Sequence, residues 1–310
     1  MNIAFIEPLS RAWNRMKIAL FKPFDLNKWF VVGFTAFLAG LTRGPGGSGS
    51  GGRGGHLSFR EFLDLPNRAW AWLMNHPGWF IAIVFIVMFL IIIGITFTWL
   101  SSRGKFMFLD NVVHERAEIA KPWKRFKREG NSLFLWRLCF GLICFILFIM
   151  FFVFCFTMAS HLYEGSYFQR VPVGFIVGMI LLFLLMIIVI GYISLFLDSF
   201  VIPIMHKNNI KTTQAWSRFL SILGQYPFHF IFYGLLMFGL MILFVISVII
   251  AGLLTCLIGF LFLIIPYIGT VVTLPVWYTF RAFSLEFLAQ FGPEYELFPS
   301  PEASSISAQS

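Results

Sequence analysis

Residues 79–100 read WFIAIVFIVMFLIIIGITFTWL, 22 positions without a charged side chain. About 20 apolar residues in helical form cross the hydrocarbon core of a bilayer. This run therefore predicts a membrane-spanning helix. Working outward, comparable runs lie at about 133–159, 173–197, 227–250 and 258–282. The last two are nearly continuous, with Gly252 and Gly259 bracketing the place for a tight hairpin. Pro266 and Pro275 predict a bent or kinked last helix, because proline removes a backbone donor. A weaker run lies near 24–42, with Asp25 and Lys28 in the headgroup layer and Lys28 snorkelling.

The composition agrees. Of 310 residues, 59% are hydrophobic and 12% charged, with a mean hydropathy of +0.84. Soluble domains carry about 25% charged residues. A soluble enzyme, a secreted disulfide scaffold and a disordered chain are excluded. The net charge is +9, from 23 basic and 14 acidic residues. The cations flank the apolar runs, so they bear on topology and anionic lipid rather than nucleic acid. Six spans put both termini on one side, and that side holds 18 of the 23 cations. The positive-inside rule makes it cytoplasmic, with N- and C-termini in and the plasma (inner) membrane as host. Cys139, Cys144, Cys155 and Cys256 lie inside apolar runs without CxxC spacing and read as inert thiols. The N-terminus lacks the pattern of a cleaved signal peptide, so Met1 reads as retained.

Three segments begin alike: Ala12-Trp13-Asn14-Arg15-Met16, Pro122-Trp123-Lys124-Arg125-Phe126 and Ala215-Trp216-Ser217-Arg218-Phe219. Three end alike: Phe108-Leu109-Asp110, Phe196-Leu197-Asp198 and Ser284-Leu285-Glu286. In the first and third, Pro23-Phe24 and Pro227-Phe228 precede the span. The reading is one unit used three times: interfacial helix, span, outside loop, span, acid. Repeats of two spans enter from the same face and are therefore parallel. The expected architecture is an all-α integral membrane bundle of six spans. Its repeats run about 10–118, 119–208 and 212–291, within one domain over 1–292.

Residues 10–22 show helical spacing, with Leu9, Trp13, Met16 and Leu20 on one face, and Ser10 and Thr213 as candidate N-caps. Such a helix is expected in the headgroup plane, its apolar side in the acyl boundary. Lys121, Lys124, Arg125, Lys127 and Arg128 put five cations into eight residues. They enforce topology, contact anionic lipid on the cytoplasmic face, or meet a protein partner. Asp110, Asp198 and Glu286 have apolar neighbours, where an unpaired carboxylate is costly. The expected partners are Arg125 for Asp110, Arg218 for Asp198 and Arg15 for Glu286, closing a ring that pins each interfacial helix to the preceding span, for structural support or as a gate.

No HExxH, GxSxG or P-loop pattern occurs, and no histidine pair has zinc spacing, so neither a catalytic site nor a cofactor or metal site is expected. His161 and Glu164, close on an outside loop, and His229, just inside the fifth span, read as solvated or hydrogen-bonded side chains. The sparse polar groups within the spans, Thr96, Tyr192, Ser194, Ser247, Thr270 and Thr273, do not make a proton relay. Gly44 to Gly55, within an outside insertion at 43–78, reads as a flexible linker, and Ser58-x-x-Glu61 as a capping box opening an amphipathic helix. Gly174-x-x-x-Gly178 offers a close helix contact. The tail over 293–310, rich in Ser, Pro and Glu, reads as disordered and cytoplasmic.

The Phe-Leu-Asp endings, the Trp-Lys-Arg-Phe start and the repeat of two spans resemble uncharacterised bacterial six-span membrane proteins. They are also similar to the membrane portion fused to some glycerophosphodiester phosphodiesterases. The resemblance covers most of residues 1–290 and implies an integral membrane module. The phosphodiesterase activity belongs to the fused domain and does not carry over. The expected function is a non-catalytic module that binds lipid, a protein partner or a second copy of itself. The alternative is a carrier of a lipidic or apolar solute.

Overall fold

The computed structural model describes residues 3–42, 68, 70–164, 173–255 and 258–298. It is all-helical, 88% helix with no strand among the described residues. In chain order the helices are α1 (Ile6–Phe21), α2 (Leu26–Gly40), α3 (Pro77–Val113), α4 (Ala120–Arg125), α5 (Lys127–Glu164) and α6 (Val173–Phe196). A π-helical turn, Leu197–Val201, leads into α7 (Ile202–Asn208). Then come α8 (Thr212–Gln225), α9 (Pro227–Leu254), α10 (Ile258–Ile264), α11 (Pro266–Val272) and α12 (Leu274–Ala289).

Among the described residues four helical segments are long and apolar enough to cross a membrane: Pro77–Val113, Lys127–Met158, Gly174–Asn208 and Pro227–Leu254. The other two expected spans differ. The first, α2, has 15 residues, about 22 Å at the helical rise. The last is broken into three helices rather than kinked. Ile265 takes an extended backbone (ψ 109°) ahead of Pro266, as a residue before proline prefers, and a second break falls at Thr273 before Leu274-Pro275. Pro203 explains the π turn as well. It cannot donate to the carbonyl one turn back, and Ile202 N–H instead bonds Leu197 O, five residues away.

Two compact units result. One comprises Arg43–Thr98 and Arg137–Gly191. Its helical stretches are apolar all round and expose large side chains such as Phe85, Phe89, Met150 and Leu181. Helices of that kind sit in lipid. Phe148, Phe151 and Phe152 of α5 meet Phe183 of α6 there. Added Cβ atoms on Gly174 and Gly178 would meet nothing within 4 Å, so this pair makes no close contact in the described chain.

The other unit comprises Met1–Thr42, Trp99–Trp136 and Tyr192–Ser310, and it holds the core. Residues 101–113, at the end of α3, are buried on every side. So are most residues of 196–206 and 278–288. These are the three acid-bearing endings. Each Trp-x-Arg-apolar segment packs into this core by the residue before its tryptophan and by its final apolar residue: Ala12 and Met16, Pro122 and Phe126, Ala215 and Phe219. Phe126 stacks on Phe106 at 5.7 Å, and Phe219 on Phe200 at 5.3 Å. Met16 rides with Ala12, Ala19 and Leu20 on α12.

This corrects the expectation for α1. Met16 and Leu20 face protein, not the acyl boundary, because α12 offers an apolar partner on the same side. Neither cap prediction matches. α1 begins at Ile6, and α8 is capped through Lys211, whose backbone N–H donates to Gln214 Oε1. The tail is also corrected in part. Tyr295 and Phe298 are buried, and Lys207 Nζ donates to the carbonyls of Pro293 and Glu296 at 2.7 and 2.6 Å. Apolar burial and these bonds hold 293–298 in place. Residues 299–310, the Gly-rich linker and the Ser58-x-x-Glu61 box lie outside the described residues.

Candidate functional site

The three acids lie in the core unit, and each bonds a group from another expected repeat. Glu286, 7% exposed, receives Arg15 Nε at 2.6 Å, with Arg11 Nη1 at 3.9 Å. Phe298 lies across the Arg15 guanidinium, 3.9 Å from ring centre to Cζ. Asp198 sits on the π turn, where Lys105 Nζ forms an ion pair with its carboxylate and Arg281 Nη1 donates to its backbone carbonyl. Asp110 Oδ1 meets His206 Nε2 at 3.0 Å and His114 Nδ1 at 3.3 Å. Phe126 stacks on His206 at 4.5 Å.

Of the expected pairs, Arg15 and Glu286 are brought together. Arg125 and Arg218 are exposed, and among the described residues neither comes within 4.0 Å of an acid. The reason is reach. Lys105 and His206 lie inside the packed endings beside the acids, whereas Arg125 and Arg218 stand on outer faces of short helices. The signal for Lys105 was present: Lys105 and Arg281 each stand five residues before an acid of the ending motif. His206 carried no comparable signal.

The Asp110 carboxylate raises the pKa of His114, because the hydrogen bond favours the protonated ring over the cost of partial burial. The loop after α3 is fixed by Asn111 Oδ1, which accepts from Glu118 N–H at 3.0 Å. That loop leads into the cationic stretch. Lys121, Lys124, Arg125, Lys127 and Arg128 are all exposed. Among the described residues only Lys121 of the five has a carboxylate within ion-pair distance, Glu118 at 2.9 Å.

Next to this stretch stands Arg103, a residue the sequence reading used only in the charge census. It is 9% exposed. Its guanidinium lies over Trp99 at 4.4 Å and Trp123 at 4.9 Å, and Nη2 donates to Asn131 Oδ1 at 3.1 Å. Three of the polar groups within the expected spans bond backbone carbonyls. Thr96 and Thr273 donate to carbonyls one turn back, and Tyr192 donates to Ile231 O. Among the described residues no group of three His, Cys, Asp or Glu side chains could hold a metal.

Residues 3–274 match a family model described as "Family of unknown function (DUF7544)". The chain belongs to this family. The DUF7544 match includes α3, α4, Asp110, Asp198 and the cationic stretch, and stops before Arg281 and Glu286. No curated protein and no solved structure matches the chain.

Proposed function

We propose that this DUF7544 protein is a non-catalytic, multi-pass module of the plasma (inner) membrane that binds anionic lipid along its cytoplasmic edge. Three parallel two-span repeats build it, with both termini in the cytoplasm. Each interfacial helix docks on an acid-bearing ending, the first on the last. The observation that carries this reading is the exposed row Lys121, Lys124, Arg125, Lys127 and Arg128, with one carboxylate partner among five cations in the described residues. It stands on α4 and the first turn of α5, a span-length helix. Near an anionic leaflet each such cation contributes about 1 kcal/mol. α2 and the α10–α12 segment complete the six crossings, supported by the Tyr267 Oη hydrogen bond to Phe30 O at 2.9 Å.

The test is lipid retention. The full chain is purified in mild detergent, and bound lipid is counted by native mass spectrometry with phosphatidylglycerol and phosphatidylcholine offered in competition. Phosphatidylglycerol is expected to be retained several-fold over phosphatidylcholine, less so at high salt. The preference should collapse in a K121Q/K124Q/K127Q/R128Q variant. Equal retention of the two lipids by the unaltered chain would sink the reading.

A further inference from the structure

We infer that Arg103, seated in the corner formed by Trp99 and Trp123 beside the first turn of α5, is the acceptor for a phospholipid phosphodiester. This deepens the reading above and rests on it. Arg103 stands three residues past Leu100, where the uncharged run ends. That is the depth of lipid phosphates if α3 crosses the bilayer. Two flanking tryptophans are the side chains that collect at this level.

Burial makes the case specific. Arg15 and Lys105 each meet a carboxylate. Arg103 is nine-tenths buried and has no carboxylate within 4.0 Å among the described residues. Its hydrogen-bond partner is the neutral amide of Asn131, and its Nε has none among the described residues. A buried cation without a counter-ion is costly, and two indole faces offset only part of that cost. An anion at the guanidinium edge supplies the rest.

The approach is open from one side. Asn131, at the edge of the guanidinium, is exposed, as are Lys124, Lys127 and Arg128. Glu129 is the opposing charge in the first turn of α5, buried and with Oε2 unpartnered among the described residues. Among the described residues its carboxylate does not come within 4.0 Å of the Arg103 guanidinium. The planar fork of Arg103 suits two phosphate oxygens at once. The neighbouring lysines hold the headgroup by charge alone.

The test uses the full chain in detergent, titrated with phosphatidylglycerol, diacylglycerol or inorganic phosphate, and read by native mass spectrometry and thermal midpoint. Phosphatidylglycerol should bind and stabilise, and phosphate-free diacylglycerol should not. R103Q should weaken phosphatidylglycerol binding at least about tenfold, and R103K nearly as much, because charge without the fork does not suffice. N131D supplies an internal anion on an exposed, tolerant position. It should raise the midpoint without lipid and abolish the lipid-dependent rise. If the lysine-strip variant loses binding while R103Q, R103K and N131D bind as the unaltered chain does, Arg103 is overturned and the broader reading stands. If R103Q and N131D lose binding and the strip variant does not, Arg103 stands and the strip falls. Stabilisation by inorganic phosphate equal to that by phosphatidylglycerol overturns the lipid as source.

Discussion

Glu286 and Asp198 look alike in the sequence but sit in different surroundings, and their variants should differ. Arg15 is 35% exposed in its side chain, so water relieves it when Glu286 is neutralised. Glu286→Gln is expected to cost about 1–2 kcal/mol, below the cost of breaking a fully buried pair. Lys105 is only 5% exposed in its side chain. Lys105→Met strips the ammonium from a shielded carboxylate and should cost about 3–5 kcal/mol. Unfolding in mixed detergent gives both values, and the reverse order would refute the assignment of burial. His114 supplies a pH signature. Its pKa is raised in the folded chain by Asp110, with His206 on the same carboxylate and Arg116 opposing. The contribution is full below the ordinary histidine value of about 6.5 and is lost as pH rises through the raised value. The stability gap between the unaltered chain and His114→Gln should therefore shrink from pH 6 to pH 8.5. A gap that grows over that range would contradict it.

Packing between elements depends on where chains come close. A Cβ on Gly104 of α3 would stand 2.6 Å from Leu38 Cβ and 2.7 Å from Ala39 N, a backbone atom that cannot yield. Ser101 Oγ donates to Ala39 O at 3.0 Å beside it. Gly104→Ala should thus push α2 off α3 and cost about 1–3 kcal/mol. Gly178→Ala, with nothing within 4 Å, should fall within about 0.5 kcal/mol of the unaltered chain. The sequence motif pointed the other way. Gly174-x-x-x-Gly178 has the spacing of a close contact, while Gly104 stands alone. Spacing records which residues share a helix face. It does not record which face another helix covers.

The crossing of α2 and the orientation belong to the chain as a whole. With the four native cysteines replaced by alanine, single cysteines at Ser48 and Ser10 report on sidedness. A membrane-impermeant maleimide applied to intact cells is expected to label Ser48→Cys and to spare Ser10→Cys until the membrane is opened. Labelling of Ser10→Cys from outside would reverse the orientation, and protection of both would leave α2 on one side.

Much of the architecture was legible because it is local. Runs of 20 or more apolar residues state their own solvent, and Trp13, Trp123 and Trp216 mark the three docking helices by repetition. Pro266 and Pro275 marked the weak points of the last segment, since a missing donor acts where it stands. The choice among cations for each acid was not local. Lys105 reaches Asp198, and two histidines share Asp110, because the endings of α3, α6–α7 and α12 pack into one core and desolvate whatever lies at their contacts. Arg125 and Arg218 were nearer by motif but remained outside that contact. The sequence by itself marked the four stretches long and apolar enough to cross a membrane and the prolines at which the last segment breaks. Only the tertiary structure decided which charges are buried together, because burial is a property of neighbours that the chain brings in from far along its length.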